Sequence, residues 1–164
     1  MIKKAIRTYL QNDTELMSNV NNVFSFFNAS NTRRVNNVVN KSLFPMITIN
    51  EIEKLLIEGH VSGTIRAFQS TLEIQLDTIV DPDACNQKQI DNLHEKEDQH
   101  EESSDRIIEL LHNLSGNVNG VLVGVCVFQD AQDSQLIYNL TNNDKDQIVY
   151  RKTFIFNINY EQGA

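Results

Sequence analysis

The stretch of residues 148–160 (IVYRKTFIFNINY) alternates between large side chains and mostly smaller or more polar ones almost without a break. A period of two over this length predicts a β-strand with one buried face and one largely solvated face. Ordering its backbone costs roughly 13–26 kcal/mol, whereas burying six large side chains returns about 9–18 kcal/mol. The strand therefore needs neighbouring strands and a second layer that covers it. The even positions are Ile148, Tyr150, Lys152, Phe154, Phe156, Ile158 and Tyr160.

Composition is typical of one compact domain. The 164 residues are 40% hydrophobic, which favours a single domain over 1–164 with one core. A net charge of -8 argues against attraction to free nucleic acid. No apolar run approaches the roughly 20 residues that a membrane helix needs. Polar residues follow the basic start, so we expect no export signal, and Cys85 and Cys126 give no reason to expect an oxidising compartment.

Two helical regions are predicted. Residues 2–11 have the apolar spacing of a helix with one buried face, and Asp13 is placed to cap a short second helix. Residues 86–114 are expected to form a longer helix whose second half has an apolar stripe. Within it, residues 95–105 (EKEDQHEESSD) contain no apolar side chain. We therefore expect a charged, solvent-exposed insertion there, either a projecting helix extension or a disordered segment.

The remaining apolar segments predict strands. They are 23–27, a strand that begins just after Pro45, 64–69, 71–80, a buried strand over 121–128, a hairpin-like return at 136–140, and the terminal strand. In 71–80, Leu72, Ile74, Leu76, Thr78 and Val80 share one face. This order of elements predicts an α+β fold, with a mostly antiparallel β-sheet and helices packed on one face.

Five segments in this order carry a resemblance to a known family. They are the opening helix, the strand FPMITI at 44–49, the strand LEIQLD at 72–77, the helix end IIELL at 107–111, and the strand YRKTFIF at 150–156. Together they cover about two thirds of the chain, and their order and spacing resemble the tail-completion (tail terminator) proteins of long-tailed bacteriophages. The charged segment 95–105 and the Asn-rich segment 28–42 depart from the family pattern, at positions where insertions are readily accommodated.

The resemblance implies a structural role in the virion. Members form a ring, typically a homo-hexamer, that caps the head-proximal end of the tail tube, stops its polymerisation, and offers a surface to a neck, connector or head-completion protein. It implies no reaction and no cofactor, and assembly in the host bacterial cytoplasm. Long strands with free edges suit such a ring, because a closed heterologous interface pairs them. We further hypothesise that genomic DNA passes through an acidic lumen without specific binding.

Assembly contacts are expected on exposed strand faces and edges. Glu73, Gln75 and Asp77 lie on the polar face of one predicted strand, and Arg151 and Thr153 lie on another. Met46, Ile47 and Ile49 are further candidates for packing across a subunit boundary. For Ile47 and Ile49, packing within the core is the competing interpretation.

Catalytic and metal chemistry have little support. His94, Glu97, Asp98, His100 and Glu101 could supply ligands to a divalent metal on one helix, but a packed supporting shell is missing, which favours a solvated acidic helix. No phosphate-binding loop or nucleophile motif occurs in the sequence. We therefore expect no enzyme activity, no metal and no cofactor.

Three alternatives stay open at this point. The first is another ring of the phage neck, such as a head-closure or connector protein. The second is a small cytosolic ligand-binding α+β domain, which requires a formed pocket. The third is an enzyme that uses the His and Glu cluster. The mass of the protein in solution distinguishes a ring from a monomer.

Overall fold

A computed structural model describes residues 1–25, 34–35, 38–39, 41–59, 65–80, 85–138 and 147–163. These residues form an α+β fold, as predicted, with a six-stranded, mostly antiparallel sheet in the order β1-β4-β5-β8-β7-β6 and helices on one side. The helices are α1 (Ile2–Gln11), α2 (Thr14–Asn19) and α3 (Gln87–Leu111). The strands are β1 (Asn22–Phe24), β2 (Arg34–Val35), β3 (Val38–Val39), β4 (Met46–Gly59), β5 (Ile65–Val80), β6 (Gly116–Val118), β7 (Val121–Tyr138) and β8 (Gln147–Gly163).

The alternating C-terminal segment is an interior strand of the sheet. As β8, it lies between β5 and β7 and is antiparallel to both, with partners from Ile65–Gly163 to Val80–Ile148 on the β5 side. This supplies the neighbours that its length requires, because each flanking strand pairs with most of its backbone. The prediction of a long strand over 148–160 is confirmed.

One face of the sheet, which we call the helix face, carries the main core. Leu72, Ile74 and Leu76 of β5 are fully buried there, as their shared face predicted. Helices α1, α2 and α3 cover these side chains, since their apolar stripes match the apolar strand positions in one cluster. Further members of this core are Ile2, Ile6, Leu10, Leu16, Ile47, Ile49, Ile107, Leu111, Cys126, Phe154, Phe156, Ile158 and Tyr160.

The opposite face, which we call the open face, has no α-helix packed over it among the described residues; the short 3-10 helix Lys41–Leu43 lies at one end of it, where Leu43 packs against buried residues. A small second cluster covers one end of this face, where Phe44, Met46, Ile79 and Val149 are buried together. Away from this cluster, the side chains of the open face are mainly polar. Over the described residues, the fold therefore leaves most of this sheet surface uncovered.

Helices α2 and α3 begin at well-formed caps. The Asp13 carboxylate accepts a hydrogen bond from the Leu16 amide at 2.7 Å, which caps α2 as predicted. The same carboxylate accepts two bonds from the Arg106 guanidinium of α3, at 3.1 and 2.6 Å. These bonds hold the pKa of Asp13 below its usual range. Helix α3 starts with a capping box between Asn86 and Gln89.

Residues 95–105 form a helix, one of the two expected forms, but only part of the segment is exposed. The segment is helical throughout and belongs to α3. It is not wholly exposed, because Ser103 and Ser104 are buried against the rest of the fold. Small side chains allow the helix backbone to approach its neighbours closely, so this part of α3 packs without any apolar residue.

Three strand predictions need correction. The predicted return at 136–140 is wrong, because β7 runs without a turn from Val121 to Tyr138 and pairs with β8 over that length. The segment 121–128 is not buried on both faces, since Leu122 is half exposed. The predicted strands 64–69 and 71–80 are one strand, β5. Residues 26–27, 60–64 and 139–140 lie outside the described residues.

Candidate assembly surface

The predicted polar assembly residues lie together on the open face. Glu73, Gln75 and Asp77 alternate along β5, and Arg151 and Thr153 alternate along β8. The register places Gln75 opposite Thr153 and Asp77 opposite Arg151. The structure therefore brings these five residues into one polar surface, because directly opposed residues share a face of the sheet.

Asp77 and Arg151 form the best-buried ion pair of this surface. The Arg151 Nε donates to Asp77 Oδ1 at 2.8 Å, and Nη2 donates to Oδ2 at 3.1 Å. The Asp77 side chain is 1% exposed and that of Arg151 is 18% exposed. A two-point bond of this kind fixes the orientation of both groups and cross-links β5 to β8. These two residues therefore stabilise the sheet that forms the surface, and little of either side chain is available for contact with a partner.

A network of amides and carboxylate extends along the same face. The Glu73 carboxylate accepts hydrogen bonds from Asn50 at 3.3 Å and from Gln75 at 2.8 Å. Thr71 donates to Asn157 at 3.4 Å in the next row of the sheet. Thr48, opposite Gln75, is 2% exposed, and its hydroxyl has no hydrogen-bond partner among the residues that the structure describes. The open face is thus ordered and polar before any partner binds.

The three apolar candidates do not belong to this polar surface. Ile47 and Ile49 are fully buried in the main core on the helix face. They cannot contact another subunit while the chain keeps this fold, so their role is core packing. Met46 lies on the open face but is buried in the small cluster with Phe44, Ile79 and Val149.

The sequence analysis missed an apolar patch at the other end of the open face. We define the distal patch as the exposed apolar residues Leu55 of β4 and Leu122 and Val125 of β7, which lie on either side of Gln69 and Asn159. Leu55 is 60% exposed and Leu122 is 50% exposed. Leu55 is opposite Gln69, Gln69 is opposite Asn159, and Asn159 is opposite Val125, so Leu55 and Val125 lie at the same level on the two outer long strands. The run Leu55-Leu56-Ile57 was the available signal, since three consecutive apolar residues on a strand cannot all face one core.

Charge on the open face is mostly negative. Four acidic side chains lie on it, because each is directly opposite a residue of this face in the neighbouring strand. The pairs are Glu53–Thr71, Glu73–Asn50, Asp130–Ile155 and Glu161–Ala67. Over the described part of these strands, Arg151 is the one cation on this face, and it is bonded to Asp77. An acidic sheet surface repels polyanions and attracts basic partners.

A groove lies on the helix face, between the first half of α3 and the ends of β5, β7 and β8. Its volume is about 550 Å³. His100 lies against Thr78, with Nδ1 and the Thr78 hydroxyl 2.7 Å apart. Burial lowers the pKa of His100, and the charge of Lys152 lowers it further. Lys96 donates to the Ile79 carbonyl at 3.1 Å along the same groove.

The candidate metal ligands on α3 do not converge on one point. His94 lies 3.6 Å from Glu97, and His100 turns to Thr78. Within the described residues, no three His, Cys, Asp or Glu side chains come close enough to hold a metal ion. Nor is any described helix long and apolar enough to cross a membrane.

Comparisons with known proteins give a structural likeness only. No family model matches the sequence, and no curated protein matches it. A solved structure does match: a chain from the structure titled "Virion of native gene transfer agent (GTA) particle". The two structures superpose with a TM-score of 0.55 and share 11% sequence identity. The match covers 98% of this chain and 95% of the virion chain. At this identity the match shows that the two chains share a fold.

Proposed function

We propose that this protein is a structural protein of a phage-like virion, and that it acts as a tail terminator. In this role, a ring of copies caps the head-proximal end of the tail tube and joins it to a neck or connector protein. The observation that carries the proposal is the fold shared over nearly the whole chain with a chain of a virion particle. The order of segments that resembles tail terminators supports the finer assignment.

The surface chemistry fits an assembly role. The distal patch exposes large apolar side chains on both outer long strands of one sheet face, and exposed apolar surface of this kind favours contacts with other proteins. The polar rows beside it are already hydrogen-bonded within the chain, which reduces the entropy lost when a partner binds. A virion ring needs this kind of preformed surface, because it must bind on both sides without folding anew.

The test is whether the protein ends tube growth. Its candidate tail tube protein is polymerised with and without it, and tube lengths and tube ends are recorded by negative-stain electron microscopy. The proposal predicts tubes of limited length with one capped end and six-fold rings in end views. Unaltered length distributions at equimolar protein would contradict the terminator role.

Matched variants sharpen this test. Leu55→Lys with Leu122→Lys places charge in the distal patch, and we expect it to abolish capping. The control, Asp98→Lys with Asp105→Lys, changes two exposed residues of α3 and is expected to cap normally. If a connector protein binds this protein and the tube protein does not, the chain is instead another ring of the neck.

The groove on the helix face favours a second candidate, a small ligand-binding domain. A volume of about 550 Å³ is within the range of small-molecule sites. This function predicts a monomer whose melting temperature rises with a specific metabolite, by mass action. A ligand screen by thermal shift, with Thr78→Val as a groove variant, tests it.

A further inference from the structure

Over the residues that the structure describes, the two outer long strands of the sheet, β4 and β7, each have a short strand paired with their outer edge near one end only. On β4, the short strand β1 pairs with Met46–Thr48. Among the described residues, no strand pairs with the outer edge of β4 over residues 50–59. An uncovered edge of this length presents a row of backbone donors and acceptors to any second strand.

The other outer strand, β7, is covered at its beginning. Strand β6 pairs with residues 121–123, and the segment after α3 bonds to Cys126 through Asn113 and Leu114 at 2.7 and 3.0 Å. The Phe128 amide donates to His112 Nδ1 at 3.2 Å. Within the described part of the chain, no strand pairs with the outer edge over residues 130–138. The Ala131 amide donates to Asp130 Oδ1 at 2.8 Å, a bond within β7 itself.

The two uncovered halves lie at diagonally opposite corners of the sheet. The half of β4 over 50–59 lies at the end where β5 begins and β8 finishes, near Ile65 and Gly163. The half of β7 over 130–138 lies at the other end, near Val80 and Ile148. Strands β4 and β7 run in opposite directions, because three successive antiparallel pairings (β4 with β5, β5 with β8, and β8 with β7) separate them. A β7 edge placed beside a β4 edge therefore continues the antiparallel order.

We infer that a second copy of this chain pairs its β7 edge, residues 130–138, with the β4 edge, residues 50–59. One chain carries both edges, with matching direction and similar length, and this identifies the partner as another copy. The contact is heterologous, so it repeats from copy to copy and closes into a ring at the appropriate angle. The diagonal offset tilts the strands relative to the axis of that ring, as in a closed barrel.

Charge selects a register for this contact. Lys54 lies on the helix face, with its Nζ 4.2 Å from the centroid of the Phe68 ring. Asp133 lies opposite Lys152, also on the helix face. Placing Lys54 opposite Asp133 pairs opposite charges across the contact, and then places Glu53 opposite Ser134 on the open face. Like charges directly opposite each other would oppose association.

Disulfide cross-linking tests the contact directly. In a Cys85→Ser background, Lys54→Cys with Asp133→Cys is oxidised mildly, both alone and on capped tubes. Facing pairs of an antiparallel contact are within disulfide reach. We expect a ladder of covalent multimers on a non-reducing gel, ending at the size of a closed ring. Glu53→Cys with Ser134→Cys is a second pair that should behave alike and covers the case in which the first variant misfolds.

Three controls define failure. Each single variant should stay monomeric, and Lys54→Cys with Ser134→Cys should not cross-link, since its thiols lie on opposite faces. A dimer from Lys54→Cys alone would overturn the inference, because it would show two β4 edges paired together. Absence of the ladder from both matched pairs would also overturn it, with or without tubes.

The inference rests on the proposed function for the expectation of a ring, but the two fail differently. Capped tubes without cross-links refute the edge contact and leave the terminator role intact. Cross-linked rings that never cap a tube refute the terminator role and leave the edge contact intact.

Discussion

His100 is one of the residues through which α3 makes a polar contact with the sheet. Its ring lies against Thr78 and is half-buried in the groove, where Lys152 lowers and Asp133, Asp77 and Glu101 raise its pKa. Burial is the largest effect and lowers the pKa overall. The fold therefore favours the neutral imidazole.

This residue should make stability depend on pH. The folded-state pKa of His100 lies below its unfolded value, so the unfolded chain binds protons more readily. The free energy of unfolding should fall as pH drops below about 6.5, until the folded-state pKa is passed. Urea titrations at pH 8, 6.5 and 5 measure this loss. His100→Gln should flatten it, whereas His94→Gln, at an exposed site, should not.

The Asp77–Arg151 pair makes a second prediction at the residue scale. Asp77→Ala removes two charge-assisted hydrogen bonds from a largely buried guanidinium, and we expect a loss of about 3 kcal/mol in the free energy of unfolding. Replacing both partners, as Asp77→Leu with Arg151→Met, should cost less, since no buried charge then remains. Equal losses in the single and double variants, measured by urea unfolding, would contradict this account.

At the element scale, α3 shows how a polar helix packs. Ser103 and Ser104 are buried, and the Ser104 hydroxyl donates to the His100 carbonyl at 2.7 Å. Ser103→Leu should overpack this contact and cost about 1–3 kcal/mol. For a chain of this size, that lowers the melting temperature by several degrees. Calorimetry against Asp105→Leu, at an exposed position of the same helix, separates packing from helix propensity.

The same helix shows where sequence reasoning fails. Residues 95–105 contain no apolar side chain, so hydrophobic periodicity assigns them to solvent. The buried face consists of two serines and a half-buried histidine, whose contribution depends on close backbone approach. That depends on the position of the sheet, which no pattern within the helix encodes.

Strands β8 and β7 give the matching contrast. The alternation over 148–160 is strong enough to predict β8, its buried face and its length. The middle of β7, with Gln129, Asp130, Gln132, Asp133 and Gln135, has low strand propensity and was predicted to contain a turn. It is a strand because β8 offers an edge along its whole length, so tertiary pairing overrides local preference. The open face followed from alternation, but the distal patch required knowledge of which strands meet.

At the scale of the whole molecule, charge separates the two sheet faces. The open face carries Glu53, Glu73, Asp130 and Glu161, and we predict that this acidic face lines the lumen of the proposed ring. Glu53→Lys with Glu161→Lys should then make capped tubes bind duplex DNA in low salt, with affinity that falls as salt rises. If the free variant binds DNA and its caps do not, the open face does not line the lumen.

The long strand pairs also determine how this molecule would respond to force. β8 faces β5 along sixteen residue pairs and faces β7 along nearly as many. A pull along the strands loads all the backbone hydrogen bonds of a pair at once, whereas a pull across them breaks the bonds one after another. A subunit mounted with its strands near the direction of the load would therefore resist rupture far better than one mounted crosswise. Its orientation in an assembly would then be a mechanical property as much as a geometric one.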